Sequence, residues 1–191
     1  MKQKILIAVA LLMTSIAVCA QDEAIAVLTH ESTTKTFSGR EALKEAYAEA
    51  THGDLITLSS GQFEAVSLIE KAITIRGAGL GVDETYHTQP TIIYNDFTLA
   101  VPNEVEDEHI TIEGIYHDGT LSYSYVQKNV EIIKCRLNKL TNYQYEVLGG
   151  GKEYGRVIGM KIYQSKIVGR LFCNENSNIY AYNCYIFNPY T

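Results

Sequence analysis

The segment GDLITLSSGQFEAVSLIEKAITIRGAGLG, residues 53–81, contains the same spacing of small and apolar residues twice. The two sets are, in order, Ile56, Leu58, Gly61, Phe63 and Ile73, Ile75, Ala78, Leu80. Each set occupies relative positions 0, 2, 5 and 7, and the second set begins 17 residues after the first. Positions 0 and 2 share one face of a strand, and a two-residue turn brings positions 5 and 7 to the same side of the next strand. The pattern therefore predicts short strands joined by bends, with these residues facing a core.

The same four-position frame recurs along the rest of the chain. Further frames begin at Ile92, Ile110, Val130, Met160 and Ile179. The gaps between frames lack helical periodicity, which argues against an α/β fold with crossover helices, and an antiparallel sandwich requires no fixed frame. A unit of about 20 residues that cannot bury its inward side chains alone is typical of a solenoid. We therefore predict an all-β fold, a parallel β-helix of about seven coils stacked about 4.8 Å apart.

An N-terminal cap is predicted over residues 21–52, before a β-helix over residues 53–191. Ala24 to Leu28 has the composition of a strand. Ser38 and Glu41 form a capping-box pattern that opens a helix through about Ala50. The predicted buried face of that helix contains Ala42, Leu43, Ala46 and Tyr47. No such element follows the last frame, so we expect a ragged last coil, a partner or second copy that covers it, or a chain that is a fragment.

Residues 46–81, AYAEATHGDLITLSSGQFEAVSLIEKAITIRGAGLG, carry a family resemblance. An alanine-rich helix, a GD-I-L--G-F motif and an apolar-Lys-ITI-G strand resemble the opening coils of right-handed parallel β-helix proteins of the pectate-lyase-like superfamily. The later coils match only in their period. The resemblance implies a right-handed coil and often a carbohydrate ligand, but this superfamily includes lyases, hydrolases, adhesins and proteins without catalytic activity. Fold alone does not select among them.

Residues 1–20 have the features of a secretory signal peptide. Lys2 and Lys4 precede an apolar run from Ile5 to Val18, which is short for a membrane span. Cleavage is expected near Ala20, which places the mature protein outside the cytoplasm, secreted, periplasmic or on the outer surface. The alternative is a lipoprotein signal with Cys19 acylated, but Val18 stands where bacterial lipoboxes have a small residue.

Charge and cysteine content restrict the partners and the chemistry. Removal of the signal leaves 14 Lys plus Arg against 22 Asp plus Glu, a formal charge of −8. This balance argues against nucleic acid as a partner, because phosphate binding requires a basic surface. Cys135, Cys173 and Cys184 then remain, without CxxC spacing, so we expect three free thiols rather than a disulfide framework or a structural zinc site.

Outward-facing positions of the later coils combine aromatic and basic residues. Tyrosine rings stack on sugar rings, and cations one coil apart suit a carboxylate or a sulfate. The predicted binding face contains Lys161, Tyr163, Tyr180, Tyr182, Tyr185 and Tyr116 together with Arg136 and Lys166. The alternative is that these are ordinary exposed strand residues, with Glu131 and Lys161 forming a simple cross-coil pair. The hypothesis favoured by the sequence is a non-catalytic module that binds glycans or another surface protein.

A polysaccharide lyase or glycoside hydrolase acting on uronate polymers is the second hypothesis. The resemblance implies a cation that neutralises the uronate carboxylate and a base for the α-proton, often Arg or Lys. Arg136 and Lys166 form the only stacked basic pair predicted here and are the catalytic candidates.

Two loops and one histidine complete the candidates. An insertion at about residues 139–156 places Tyr143, Tyr145 and Tyr154 around three glycines and is predicted to form a flap over the outer face. The acidic run at residues 104–108 is a candidate for Ca²⁺ binding, although it has no defined ligand spacing; no other metal or cofactor is expected. His117 falls in an inward slot, where a hydrogen-bonded structural histidine is expected.

Overall fold

The computed structural model describes residues 23–80, 89–102, 109–146 and 151–187, with the side chains of Tyr145 and Glu146 excepted. The described chain is mostly β, with one helix. The strands are β1 Ile25–His30, β2 Thr33–Ser38, β3 Leu55–Leu58, β4 Gly61–Glu64, β5 Leu68–Ile69, β6 Thr74–Arg76, β7 Thr91–Tyr94, β8 Phe97–Leu99, β9 Ile110–Glu113, β10 Tyr116–Tyr123, β11 Val126–Lys128, β12 Val130–Ile133, β13 Arg136–Asn142, β14 Gln144–Glu146, β15 Lys152–Tyr154, β16 Arg156–Ile158, β17 Met160–Tyr163, β18 Lys166–Leu171, β19 Ile179–Tyr182 and β20 Tyr185–Ile186. Helix α1 is Ala42–Glu49.

Two large sheets contain most of these strands. Sheet 1 has the order β19-β17-β12-β9-β6-β3-β1-β2, and every neighbouring pair from β3 to β19 is parallel. Sheet 2 has the order β20-β18-β13-β10-β7-β4 and is also parallel. The chain alternates between the two sheets, so neighbours within a sheet come from successive passes of the chain. The all-β fold with parallel sheets is therefore confirmed.

The frame predicted to begin at Ile92 is wrong in its first half, although Phe97 and Leu99 are buried as predicted. The frame that begins at Ile73 is wrong in its second half, because Ala78 is exposed and Leu80 only partly buried. Strand β7 pairs with β4 and β10 in sheet 2, with Gly61 opposite Thr91 and Phe63 opposite Ile93. The inward residues are therefore Thr91 and Ile93, one position earlier than predicted, and Ile92 and Tyr94 are only partly buried. Sheet 1 accordingly has six parallel strands in the described chain, from β3 to β19, and not seven.

Side chains between the sheets form one apolar core. Aligned positions of sheet 1 contribute Ile56, Ile75, Ile112, Ile132 and Ile162, all buried. Aligned positions of sheet 2 contribute Phe63, Ile93, His117, Leu137 and Ile167, also buried. A strand of three or four residues buries only one or two apolar side chains, so stability depends on this stacking from pass to pass.

The N-terminal elements precede the parallel strands and share their core. Strands β1 and β2 form an antiparallel hairpin, and β1 also pairs antiparallel with β3. Ala42, Leu43 and Ala46 of α1 are buried in the common core, and Tyr47 packs against it, as the predicted helical face requires. The predicted start of the helix is wrong, because Ser38 ends β2 and Glu41 precedes the helix without a side-chain capping bond.

The predicted loop at residues 139–156 contains regular structure. Lys139 and Asn142 belong to β13, which pairs with β10 and β18. Strands β14 and β15 then form an antiparallel hairpin.

No helix in the described ranges combines the length and the apolar composition needed to cross a bilayer.

Candidate functional site

Four outward residues of sheet 2 form a continuous ladder from β10 to β20. Tyr116 is the register partner of Arg136, Arg136 of Lys166, and Lys166 of Tyr185. The Arg136 guanidinium lies over the Tyr116 ring, 4.5 Å from its centroid, and the Lys166 ammonium lies 5.3 Å from the centroid of Tyr185. We call these four residues the cation ladder. The two strands that carry these cations lie about 4.8 Å apart. Each charged group lies over the ring on its outer side, away from the other cation.

The cation ladder places two positive charges, Arg136 and Lys166, on adjacent strands. Like charges directly opposite one another on adjacent strands destabilise a sheet. Within the described chain, neither Arg136 nor Lys166 has a carboxylate within ion-pair distance, whereas Arg40, Arg76 and Lys161 each have one. The flanking rings offset part of this cost, because each cation–π contact at an exposed site contributes about 0.5–1 kcal/mol. The ladder therefore carries two cations on adjacent strands, each over a flanking ring and neither paired with a described carboxylate.

A second set of outward residues lies on sheet 1, in the two columns that the sequence predicts. Glu131, Lys161 and Tyr180 are successive register partners, and the Lys161 ammonium lies 3.5 Å from the Glu131 carboxylate. Tyr163 and Tyr182 are also partners, with ring centroids 5.1 Å apart and planes within 15° of parallel. We call these five residues the tyrosine face.

The bend between the sheets separates the cation ladder from the tyrosine face. Lys134, Gln164 and Asn183 occupy equivalent positions in successive passes, and each has a positive φ near 50°. This backbone conformation turns the chain sharply between the last residue of the sheet 1 strand and the first residues of the sheet 2 strand. The predicted binding residues thus lie on two neighbouring outer faces that meet at one corner, with Tyr163 and Lys166 on either side of it.

Ring stacking within the ladders changes how a ligand can use the tyrosines. One face of Tyr116 is covered by Arg136, and Tyr163 and Tyr182 cover one another. Each of these rings therefore has one face covered within the protein, and no described strand lies beyond Tyr182. Tyr180, Tyr182 and Tyr185 are each about half exposed, at 49%, 49% and 57%, and lie at the end of the stack.

The tyrosines of the insertion lie near the other end of the sheet 2 strands. The backbone N–H of Tyr143 donates to the Tyr123 carbonyl oxygen, and that of Gly155 donates to the Tyr143 carbonyl oxygen. The β14–β15 hairpin is therefore attached at the C-terminal ends of β10 and β13. Arg136 lies at the N-terminal end of β13. Tyr143 and Tyr154 are exposed. Tyr145 pairs with Glu153 through the backbone, and its function as part of a flap stays a prediction.

A polar cluster near the N-terminus was not predicted. The buried Asp54 carboxylate lies 2.7 Å from His30 Nδ1 and accepts hydrogen bonds from the Thr51 amide at 2.7 Å and the Thr51 hydroxyl at 3.2 Å. Burial raises the pKa of Asp54, but these hydrogen bonds and the imidazole outweigh it and hold the pKa below its usual value. The Asp54 carboxylate raises the pKa of His30 through its hydrogen bond and its charge.

This cluster borders a surface cavity of about 490 Å³. Its lining consists of Leu28, His30, Thr33, Thr34, Lys35, Glu49 and Thr51. Thr51 Oγ1 lies 3.2 Å from the same Nδ1 atom that Asp54 contacts, so these three groups do not form the relay in which opposite ring nitrogens bind carboxylate and nucleophile. The Thr-x-x-Asp spacing at residues 51–54 is the sequence signal for this turn.

His117 lies in the core, as its inward slot predicts. Its ring packs against Phe97, Nε2 lies 2.8 Å from the Asn95 carbonyl oxygen, and Nδ1 is buried without a hydrogen-bond partner in the described structure. Burial lowers its pKa. His117 therefore belongs to the scaffold of the candidate site and has no surface accessible to a ligand.

The acidic run at residues 104–108 lies outside the described residues. Within the described ranges, no group of three or more His, Cys, Asp or Glu side chains is arranged to hold a metal ion.

Comparison with protein-family models, with curated proteins and with solved structures found no match to this chain.

Proposed function

We propose that this protein is a non-catalytic module that binds acidic glycans through the cation ladder and the neighbouring tyrosine face. The observation that carries the proposal is the pairing of Arg136 and Lys166 on adjacent strands, without a carboxylate partner in the described chain. A uronate carboxylate or a sulfate placed between them would accept hydrogen bonds from both cations once these side chains turn inward from the flanking rings, and would offset their repulsion. The exposed tyrosines beside the pair supply hydroxyl groups and ring edges for the sugar.

We infer that the scaffold is a right-handed parallel β-helix similar to the pectate-lyase-like superfamily. Successive strands of sheet 1 pair in parallel in chain order, and each of β3, β9, β12, β17 and β19 is followed by a strand of sheet 2 that pairs in the same order. Such stacking presents outward side chains as straight columns one strand spacing apart. Repeating columns suit a polymer with regularly spaced charges.

The proposed location is outside the cytoplasm, on the cell surface, in the periplasm or secreted. The support is the basic and apolar composition of residues 1–20, which lie outside the described residues. Extracellular and envelope polysaccharides are the acidic glycans that a protein in these locations meets.

The test is a binding titration of the mature protein against a uronate oligosaccharide, a sulfated oligosaccharide and a neutral oligosaccharide of equal length. We expect binding to the acidic ligands that weakens as salt increases, because the cation ladder is exposed. Arg136→Gln and Lys166→Gln should each weaken binding about tenfold or more, since a hydrogen bond to a charged group contributes about 1.5–3 kcal/mol. Lys44→Gln makes the same charge change on α1, away from the ladder, and should leave binding unchanged.

Turnover distinguishes the second hypothesis. If Arg136 and Lys166 act in a lyase, incubation with uronate polymers produces the absorbance of an unsaturated uronate, and Arg136→Gln abolishes it. Binding without this absorbance or a release of reducing ends supports the non-catalytic proposal. Equal affinity for neutral and acidic ligands, or no effect of either substitution, contradicts the proposed role of the cation ladder.

A further inference from the structure

The last strand of each large sheet has an open edge. Strand β19 pairs with β17 in sheet 1, and β20 pairs with β18 in sheet 2; within the described residues neither has a strand on its other side. An unpaired edge presents backbone N–H and C=O groups that pair readily with another strand. These two strands therefore offer a binding surface made of main chain.

Apolar side chains at this edge are exposed where their counterparts one strand earlier are buried. Ile186 of β20 is 41% exposed, whereas its partner Ile167 is fully buried. Ala181 of β19 is exposed, whereas its partner Ile162 is fully buried. The inward side of the core is thus open at this edge, and a further strand placed there would bury it.

Charge distinguishes this edge from the opposite edge of sheet 1. Neither β19 nor β20 contains a charged residue, and residues 176–191 have none, although the sequence contains 16 basic and 22 acidic residues in all. The opposite edge strand, β2, carries Lys35, whose ammonium pairs with Glu49 and lies over the Phe37 ring. Charged side chains on edge strands block pairing, so the β2 edge is protected and the β19 edge is not.

We propose that a second copy of this chain docks on the β19 and β20 edge, tail to tail, with the two β19 strands paired antiparallel. A twofold axis through such a pair lets the same uncharged edge serve both copies. Because the chain has a formal charge of −6, or −8 without the predicted signal, like copies repel one another, and an edge without charges is where they approach at the lowest cost. Centring the pair on Ala181 places Tyr180 of one copy opposite Tyr182 of the other, a favourable aromatic cross-strand pair.

The dimer would also join the tyrosine faces of the two copies. The twofold axis stands perpendicular to sheet 1, so both outer faces point the same way, and the columns that end at Tyr180 and Tyr182 continue into the second copy. The joining of the two tyrosine faces follows from the geometry of the β19 edge alone and does not depend on the proposed glycan binding.

The test is the molar mass of the mature protein across a concentration series, by light scattering and sedimentation. We expect a concentration-dependent dimer and no higher species. Ala181→Lys places a charge on the core side of the edge strand, where two copies would bring like charges together, and should reduce the mass to that of a monomer. Ile186→Lys tests the neighbouring strand in the same way and replaces the first variant if that one fails to fold.

Gln62→Lys is the matched control, because it adds the same charge at an exposed position of β4, the strand at the opposite edge of sheet 2 from β20. It should leave the dimer intact. Circular dichroism confirms that each variant is folded. A wild-type monomer at every concentration overturns the proposal, as does a dimer that survives both edge substitutions. A series of trimers and larger species would indicate head-to-tail stacking and would also overturn it.

Discussion

The imidazole of His117 packs against the ring of Phe97 inside the core, with centroids 4.5 Å apart and planes at 60°. Its Nε2 atom is bound to the Asn95 carbonyl oxygen, and its Nδ1 atom is buried without a partner in the described structure. The column it occupies otherwise contains Phe63, Ile93, Leu137 and Ile167. A titratable ring thus occupies a position at which the aligned residues of the neighbouring strands are apolar.

This position predicts a loss of stability in mild acid. Burial lowers the pKa of His117 below 6.5, so the folded protein holds the ring neutral while the unfolded chain takes up a proton. The contribution of His117 to the free energy of unfolding is complete above pH 6.5 and is lost as the pH falls toward the folded-state pKa. Urea denaturation of wild type and His117→Leu between pH 7.5 and 5 measures it. The variant should lose less stability over this interval; an identical slope would contradict the assignment.

His30 predicts the opposite dependence. Its pKa is raised by the Asp54 carboxylate, so its stabilising effect is complete below pH 6.5 and is lost as the pH rises through the folded-state pKa. His30→Gln should therefore destabilise the protein more at pH 5.5 than at pH 8, measured by the same denaturation. His109→Gln, at a histidine 3.9 Å from Glu131, controls for loss of an exposed imidazole. A His30→Gln effect that is larger at pH 8 would refute the prediction.

The sequence predicts the later passes more accurately than the early ones. From Ile110 onward the frame places Arg136 beside Lys166 and Tyr163 beside Tyr182, because most inward positions of the strands there are apolar. The same spacing also predicts the inward orientation of His117, although histidine is polar.

The frame fails at β7 because a polar residue fills an inward slot. Thr91 is fully buried, and its hydroxyl accepts a hydrogen bond from Ala78 N–H and donates one to the Ser59 carbonyl. A search for apolar residues passes over Thr91 and selects Ile92, which shifts the strand by one position. Long-range hydrogen bonds of this kind leave no local sequence signal. The His30–Asp54 contact, between residues 24 apart, was missed for the same reason.

We expect removal of the buried Gln127 amide to lower the free energy of unfolding substantially. Its side chain is fully buried, accepts a hydrogen bond from Val101 N–H at 3.2 Å, and donates to the carbonyl oxygens of Val101 at 3.1 Å and Ser124 at 2.7 Å. Gln127→Leu leaves these backbone groups buried without partners, which should lower the free energy of unfolding by about 2–4 kcal/mol. Gln62→Leu, at an exposed position, should change it by less than about 0.5 kcal/mol. Equal effects of the two substitutions would show that the buried amide contributes no specific stabilisation.

The three described cysteines predict a graded reactivity toward alkylating reagents. Cys135, Cys173 and Cys184 are free thiols in the structure, buried, exposed and partly buried in that order. Burial raises the pKa of Cys135 to about 12, so its reactive thiolate is scarce at neutral pH as well as inaccessible. Timed alkylation of the native protein at pH 8, followed by peptide mass spectrometry, should label Cys173 first and Cys135 only when the protein is unfolded. Cys173→Ser should remove the fast phase and leave the slow phases unchanged. Rapid labelling of Cys135 in the native state, or a disulfide joining Cys135 to Cys184, would contradict the register that places Ser165 between them.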